Sequence, residues 1–195
     1  MNDFSFPIPN RELKKGINLS LENAENLIKD AEILYENGRY PSASYLSIVA
    51  LEEEGKASML LNRLLDHKDV SKKYWDDSIT SHPKKINAVQ QTVSKYRKLR
   101  VKVGEKRWKQ VHLAHLAKLF LEHKDDCLYV DWDFETRKTQ ITDKWKSPLR
   151  DISFEGFPLV NENKRRETAK GLIYEAKLGL EATQLTVQEK LKKFC

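Results

Sequence analysis

The sequence predicts a mainly α protein: a bundle of five or six helices with a small irregular or β insertion near residues 127–160. Three observations lead there. Seven glycines and six prolines in 195 residues leave few breaks, and 33% charged against 39% hydrophobic residues suits helices with one buried and one solvated face. Apolar residues recur three and four positions apart over long stretches, most clearly within 39–65 and 161–194. Between Leu128 and Phe134 the period drops to two, as in a short strand. The length fits one domain, 1–195, and no repeat, low-complexity tract or linker divides it.

Taken in order, residues 1–10 form an irregular arm, interrupted by Pro7 and Pro9. A first helix is expected from Arg11 to Asn37, with Leu13, Ile17, Ala24, Leu27, Ile28, Ala31, Leu34 and Tyr35 as its apolar stripe. Asn37-Gly38 supplies a left-handed stop. Pro41 suits the first turn of the next helix, which runs to Leu65 and presents Leu46, Val49, Ala50, Ala57, Leu60, Leu61 and Leu64. At 100° per residue Glu53 falls near the middle of that stripe, and Glu52 and Lys56 share a neighbouring face. A carboxylate in an apolar seam is costly unless paired, so this helix is the expected centre of the core and brings charge into it.

A short helix is expected from Ser71 to Ile79, with Tyr74 and Trp75 facing inward, and His82-Pro83 marks a break. Lys84 to Arg100 reads as a helix with Ile86, Val89, Val93 and Tyr96 at helical spacing, and Glu105 to His123 as another. Residues 128–134 and 139–142 are expected to pair as a hairpin. A final helix from Asn161 towards Phe194 carries Ala169, Leu172, Ile173, Ala176, Leu180, Thr183, Val187 and Leu191, with Gly171 and Gly179 permitting close packing.

The central helix also carries a resemblance. Ala50-Leu51-Glu52-Glu53-Glu54-Gly55-Lys56-Ala57 resembles the Ala-x-Glu-Glu-x-Gly-Lys signature of the abortive-infection V (AbiV) family of bacterial phage-defence proteins. Ala24, Asp30-Ala31, Leu34, Gly38, Ala43 and Leu46 fit the same pattern, as do Ser81-His82 with Lys85 and Leu128-Tyr129-Val130-Asp131. The Glu52-x-x-x-Lys56-Ala57 spacing is similar to the second helix of HEPN domains, a helical superfamily with many ribonucleases. The resemblance implies a HEPN-like bundle that stops infection by shutting down translation and stays silent until a phage product is sensed.

The formal charge of +6 is unevenly distributed. Eleven Lys or Arg and one acid, Glu105, lie between His82 and Lys118, making that segment +10 and leaving −4 for the rest. A basic segment on an otherwise mildly acidic chain points to a polyanionic partner, with RNA the natural candidate and a solvated Lys-rich surface the plain alternative. The residues expected to bind RNA are Lys84, Lys95, Arg97, Lys98, Arg100, Lys102, Lys106 and Lys109. No apolar run approaches the ~20 residues of a membrane span, and the N-terminus lacks the basic start and apolar core of a secretory signal. A cytoplasmic protein with Cys127 and Cys195 as reduced thiols, and no membrane partner, is expected.

The sequence has no Gly-x-Gly-x-x-Gly, Walker loop or Gly-x-Ser-x-Gly, so nucleotide hydrolysis and serine hydrolase chemistry have no support. His112 and His115, with His123 beyond, are read as packed or surface groups rather than metal ligands, and no metal or cofactor is expected. Arg107-Trp108-Lys109-Gln110-Val111-His112 matches the Arg-x4-6-His pattern of HEPN ribonucleases, although Trp108 stands where that family usually has a polar residue. The residue types make the chemistry intelligible. The ribose 2′-hydroxyl can act as its own nucleophile, an imidazole can move a proton near neutral pH, and a guanidinium can hold the scissile phosphate. Arg107 and His112 point about 140° apart on a regular helix, so they converge only at a frayed helix start or from two subunits.

Glu52, Glu53, Lys56, His82 and Lys85 are expected to form a supporting polar network, with Glu53 paired to a lysine or histidine of the next helix. That network either fixes helix register or orients His112 or the phosphate. Tyr129, Asp131 and Trp132 are expected to dock a partner, either the dimer mate or a phage-encoded protein trigger. The functional expectation is a homodimeric, metal-independent endoribonuclease. The alternatives are a non-catalytic protein that blocks translation by occupying RNA or a ribosome-associated factor, and a helical adaptor.

Overall fold

The computed structural model describes residues 8–102, 131–137, 140–146, 153–154, 157–158 and 162–192. The protein is mainly helical, with five helices among the described residues: α1 (Asn10–Glu36), α2 (Tyr40–Leu65), a short α3 (Lys72–Tyr74) running into a π turn (Trp75–Ile79), α4 (His82–Lys102) and α5 (Glu162–Lys192). The helix expected over 105–123 lies outside the described residues.

α1 buries Leu13, Ile17, Leu21, Ala24, Ile28 and Ala31 along one stripe. It ends on a Schellman motif. Gly38, at φ 72°, donates to Tyr35 O at 3.0 Å, and Arg39 donates to Leu34 O at 2.8 Å. The chain then reverses into α2, with Pro41 in the first turn, where the missing N–H costs nothing. α2 buries residues on almost every side, including Ser44, Ser47, Ala50, Leu51, Glu52, Glu54, Gly55, Ala57 and Leu61. It packs against α1, α4 and α5 at once, which makes it the central helix. A second Schellman motif closes it: His67 donates to Leu64 O at 3.3 Å and Lys68 to Arg63 O at 3.0 Å. Here the left-handed position is held by His67, at φ 53°, rather than by glycine.

The connection to α4 is tied down locally. Ile8 N–H donates to Val70 O at 3.2 Å, joining the N-terminal arm to the end of the α2–α3 loop. Ser71 caps α3 by accepting from Tyr74 N at 3.2 Å, and the Arg63 guanidinium lies 3.6 Å over the Tyr74 ring. In the π turn Thr80 N–H reaches back five residues to Trp75 O, at 3.1 Å.

Two apolar clusters fill the bundle. One joins Ala24 and Ile28 of α1, Ile48 and Leu51 of α2, Ile86, Val89 and Val93 of α4, and Leu172, Ala176, Leu178 and Ala182 of α5. The other joins Leu13, Ile17 and Leu21 of α1 with Ala57, Leu60, Leu61 and Leu64 of α2, then Val70, Ile79 and Val187. The memberships show α1 running antiparallel to α2, and α5 parallel to it. On α5 the expected stripe holds at Ala169, Leu172, Ile173, Ala176, Thr183 and Val187, while Leu178 is buried and Leu180 only partly so. Outside the core, Lys177 pairs with Glu32, Tyr96 donates to Glu181 Oε1 at 2.6 Å, and Arg166 donates to the Tyr35 hydroxyl at 3.2 Å.

Beyond the bundle, β1 (Asp131–Arg137) and β2 (Gln140–Lys146) pair antiparallel, with Trp132 opposite Trp145 and Arg137 opposite Gln140. The expected pairing is present with different bounds: the first strand extends past residue 134 to Arg137, and the second runs past residue 142 to Lys146. β3 (Ser153–Phe154) pairs with β4 (Phe157–Pro158).

Candidate functional site: the acid cluster of α2 and the head of α4

The helix crossing comes first, because it places every charged group that follows. At Gly55 the backbones of α2 and α4 nearly touch: a Cβ there would lie 1.9 Å from the Lys85 carbonyl oxygen. Only glycine allows that approach. Glu52 stands three residues before Gly55, on the same side of α2 and one turn along. The crossing therefore delivers the first turn of α4 onto Glu52.

The contacts converge on one oxygen. His82 Nδ1 lies 2.6 Å from Glu52 Oε2, and Lys85 Nζ donates to the same oxygen at 3.1 Å. Glu52 is 3% exposed and Lys85 is buried, whereas the His82 side chain is half exposed. The cluster thus runs from a dry carboxylate to a ring at the surface. A carboxylate so enclosed is tolerated because groups such as His82 and Lys85 meet it.

Glu53 and Lys56 form a separate pair. Their side chains meet at 2.5 Å, three residues apart on α2, and both are partly exposed. Two expectations need correction here. Among the described residues Glu53 pairs with Lys56 of its own helix, and it is Glu52 that pairs with the next one. Glu53 is also not the acid in the apolar seam, because that acid is Glu54.

Glu54 is fully buried, and neither carboxyl oxygen has a hydrogen-bond partner among the described residues. Burial alone pushes its pKa well above the ordinary carboxylate range, so the neutral acid is favoured. Gly179 of α5 makes the room, since a Cβ there would fall 2.0 Å from Glu54 Oε2. The sequence held a signal for this. Ala50, Ala57 and Leu61 stand four, three and seven residues from position 54, which is the spacing of one helix face. The stripe drawn through Glu53 assumed a single apolar side, but α2 is enclosed by three helices. Ser44, Thr183 and the Gln90 amide nitrogen are further buried polar groups without partners among the described residues.

The basic residues are only partly gathered. Lys84 is exposed and donates to Asp77 O at 2.6 Å, and Lys95 is exposed further along α4. Arg97, Lys98, Arg100 and Lys102 occupy the last turns of α4. Lys106, Arg107, Lys109, His112 and Tyr129 lie outside the described residues, while Asp131 and Trp132 open β1. Among the described residues no group of three or more His, Cys, Asp or Glu is arranged to hold a metal ion, and no helix is long and apolar enough to cross a membrane.

Compared with known protein families, the chain matches AbiV, a HEPN family, over residues 12–156. That span is most of the chain and includes the acid cluster, the head of α4 and the basic segment. The chain belongs to the AbiV family. It is accordingly an abortive-infection protein of the HEPN type. No curated protein and no solved structure matches it. Within this AbiV-family chain, Glu52, Gly55, His82 and Lys85 meet at one helix crossing, although 25 residues of sequence separate Lys56 from His82 at the next motif.

Proposed function

We propose that this AbiV-family protein arrests translation in infected cells by metal-independent cleavage of RNA, as a homodimer activated by a phage product. Family membership carries the reading, because it joins the chain to HEPN proteins across the segment that contains Arg107 and His112. In this reading Arg107 holds the scissile phosphate and His112 moves a proton, with two such pairs facing one cleft. The basic residues from Lys84 to Lys109 guide and hold the RNA. Glu52, His82 and Lys85 fix the head of α4, from which that basic segment departs. Tyr129, Asp131 and Trp132 meet the dimer mate or the trigger, and the protein works in the cytoplasm.

The test is to sequence RNA ends after induced expression and after incubation with purified protein. Cleavage by this route leaves 2′,3′-cyclic phosphate or 3′-phosphate ends, and His112→Ala abolishes it while RNA binding persists. Intact RNA under every condition refutes the reading. The +10 charge between His82 and Lys118 favours one alternative, a non-catalytic block of RNA or a ribosome-associated factor. There, His112→Ala is tolerated, and charge reversal at Lys95, Lys98 and Arg100 removes the effect.

A further inference from the structure

We propose that α5 is a detachable lid on the bundle, which opens as a unit while α1 and α2 stay paired. Two unpaired polar groups beneath the middle of the helix point to it. Glu54 and Thr183 are both 0% exposed. Among the described residues, neither carboxyl oxygen of Glu54 has a hydrogen-bond partner, and the Thr183 hydroxyl has none. Glu54 lies against Gly179, where a Cβ would come within 2.0 Å of its Oε2. Thr183 stands one turn beyond Gly179 on the same face of α5. A buried group without a partner forfeits the hydrogen bonds it makes with water. Two successive turns of α5 therefore close over groups that are better satisfied when the helix is away.

The apolar contact that opposes opening is thin at the same place. Between Ile173 and Val187 the buried residues of α5 are Ala176, Leu178, Gly179, Ala182 and Thr183, so Leu178 is the one large buried side chain there. Leu180 is only partly buried. Alanine and glycine remove little apolar area from water. The polar ties of α5 lie at the surface, where such pairs hold weakly: Lys177 to Glu32, Glu181 to Tyr96 and Arg166 to Tyr35.

α1 and α2 are held differently. Leu13, Ile17 and Leu21 of α1 pack with Leu60, Leu61 and Leu64 of α2, and residues 37–39 join the two helices in one turn. Local stability follows local packing, so an element with few large buried side chains and unsatisfied polar groups opens ahead of the rest.

The experiment is native-state hydrogen exchange on the full-length protein in rising, sub-denaturing urea. Amides of residues 174–186 are expected to exchange at least about 10-fold faster than those of the α1–α2 seam, after correction for intrinsic rates. They should share one opening, with a urea dependence smaller than that of global unfolding but not zero. Thr183→Val keeps the side-chain shape and removes the unpaired hydroxyl. Glu54→Met replaces the unpaired carboxyl with a flexible apolar group. Each is expected to slow exchange over 174–186 by about 5- to 150-fold, the effect of one unpaired buried group. Should Glu54→Met not fold, Thr183→Val decides. Exchange of α5 with the same protection and urea slope as α1 and α2 would mean that the bundle opens only as a whole, and would overturn the proposal. So would amides of α5 that open one by one without response to urea, or wild-type exchange of α5 in every variant that folds.

Discussion

Gly55→Ala isolates the contact on which the α2–α4 crossing depends. The added Cβ would sit 1.9 Å from the Lys85 carbonyl oxygen, 2.5 Å from its carbonyl carbon and 2.9 Å from its Cα. Non-bonded carbon and oxygen do not approach below about 3 Å, so the helices must part locally by roughly 1 Å. All three atoms are backbone, so no rotamer change relieves the clash. Overpacking of this kind costs about 1–3 kcal/mol, with a rigid backbone partner at the upper end. Replacing a helical glycine returns roughly 1 kcal/mol of helix propensity. The net expectation is a loss of about 2 kcal/mol, or a fall in Tm of about 4–8 °C for a chain of this size. Gly171→Ala is the control. Nothing lies within 4 Å of its Cβ position, so it should gain up to about 1 kcal/mol. Thermal and urea unfolding followed by circular dichroism measure both. Gly55→Ala melting at or above wild type would show that the crossing does not need the missing side chain.

Three further outcomes follow from groups already placed. Glu54 has a raised folded pKa, so its stabilising contribution is complete below the ordinary carboxylate value and is lost as pH rises through the raised one. Wild type should therefore lose urea stability relative to Glu54→Gln as pH climbs from about 4.5, by at most about 1.4 kcal/mol per pH unit, and parallel curves would refute the buried neutral acid. Glu52→Ala leaves the buried Lys85 ammonium without its carboxylate and should cost about 3–5 kcal/mol, a loss that Lys85→Met in the same chain should partly reverse when the double variant is melted. His67→Gly removes a side chain from a left-handed position and should gain about 1 kcal/mol in urea unfolding, whereas destabilisation would mean that the imidazole contributes more than its backbone strain costs.

The helices were legible because their signals are local. Asn37-Gly38 marks a stop that the backbone makes with two hydrogen bonds, and the spacing of Leu13, Ile17, Ala24, Ile28 and Ala31 is enough to show the buried face of α1. The importance of the Glu-Glu-Glu-Gly-Lys stretch was legible as well. The role of each acid was not, because it depends on partners far away in sequence. Glu52 is defined by residues 30 and 33 positions later, and Glu54 by Gly179 on α5. Gly179 was read in the sequence as permitting close packing, and the structure shows which acid it accommodates. His67 was missed for another reason: residues other than glycine rarely hold the left-handed stop, so no pattern calls for one there. The hairpin pairing was legible but its bounds were not, since 136–138 offers no strong turn residue to mark where the strands end.

The seat of Glu54 beneath Gly179 has a bearing on how the chain assembles. α5 is synthesised some sixty residues after α4, so a nascent bundle of α1, α2 and α4 presents this acid to water, where it is charged. Docking of α5 shuts that surface and favours the uncharged form, so completing the bundle draws in a proton. Alkaline medium would then hinder the final helix from closing, and mildly acidic medium would help it.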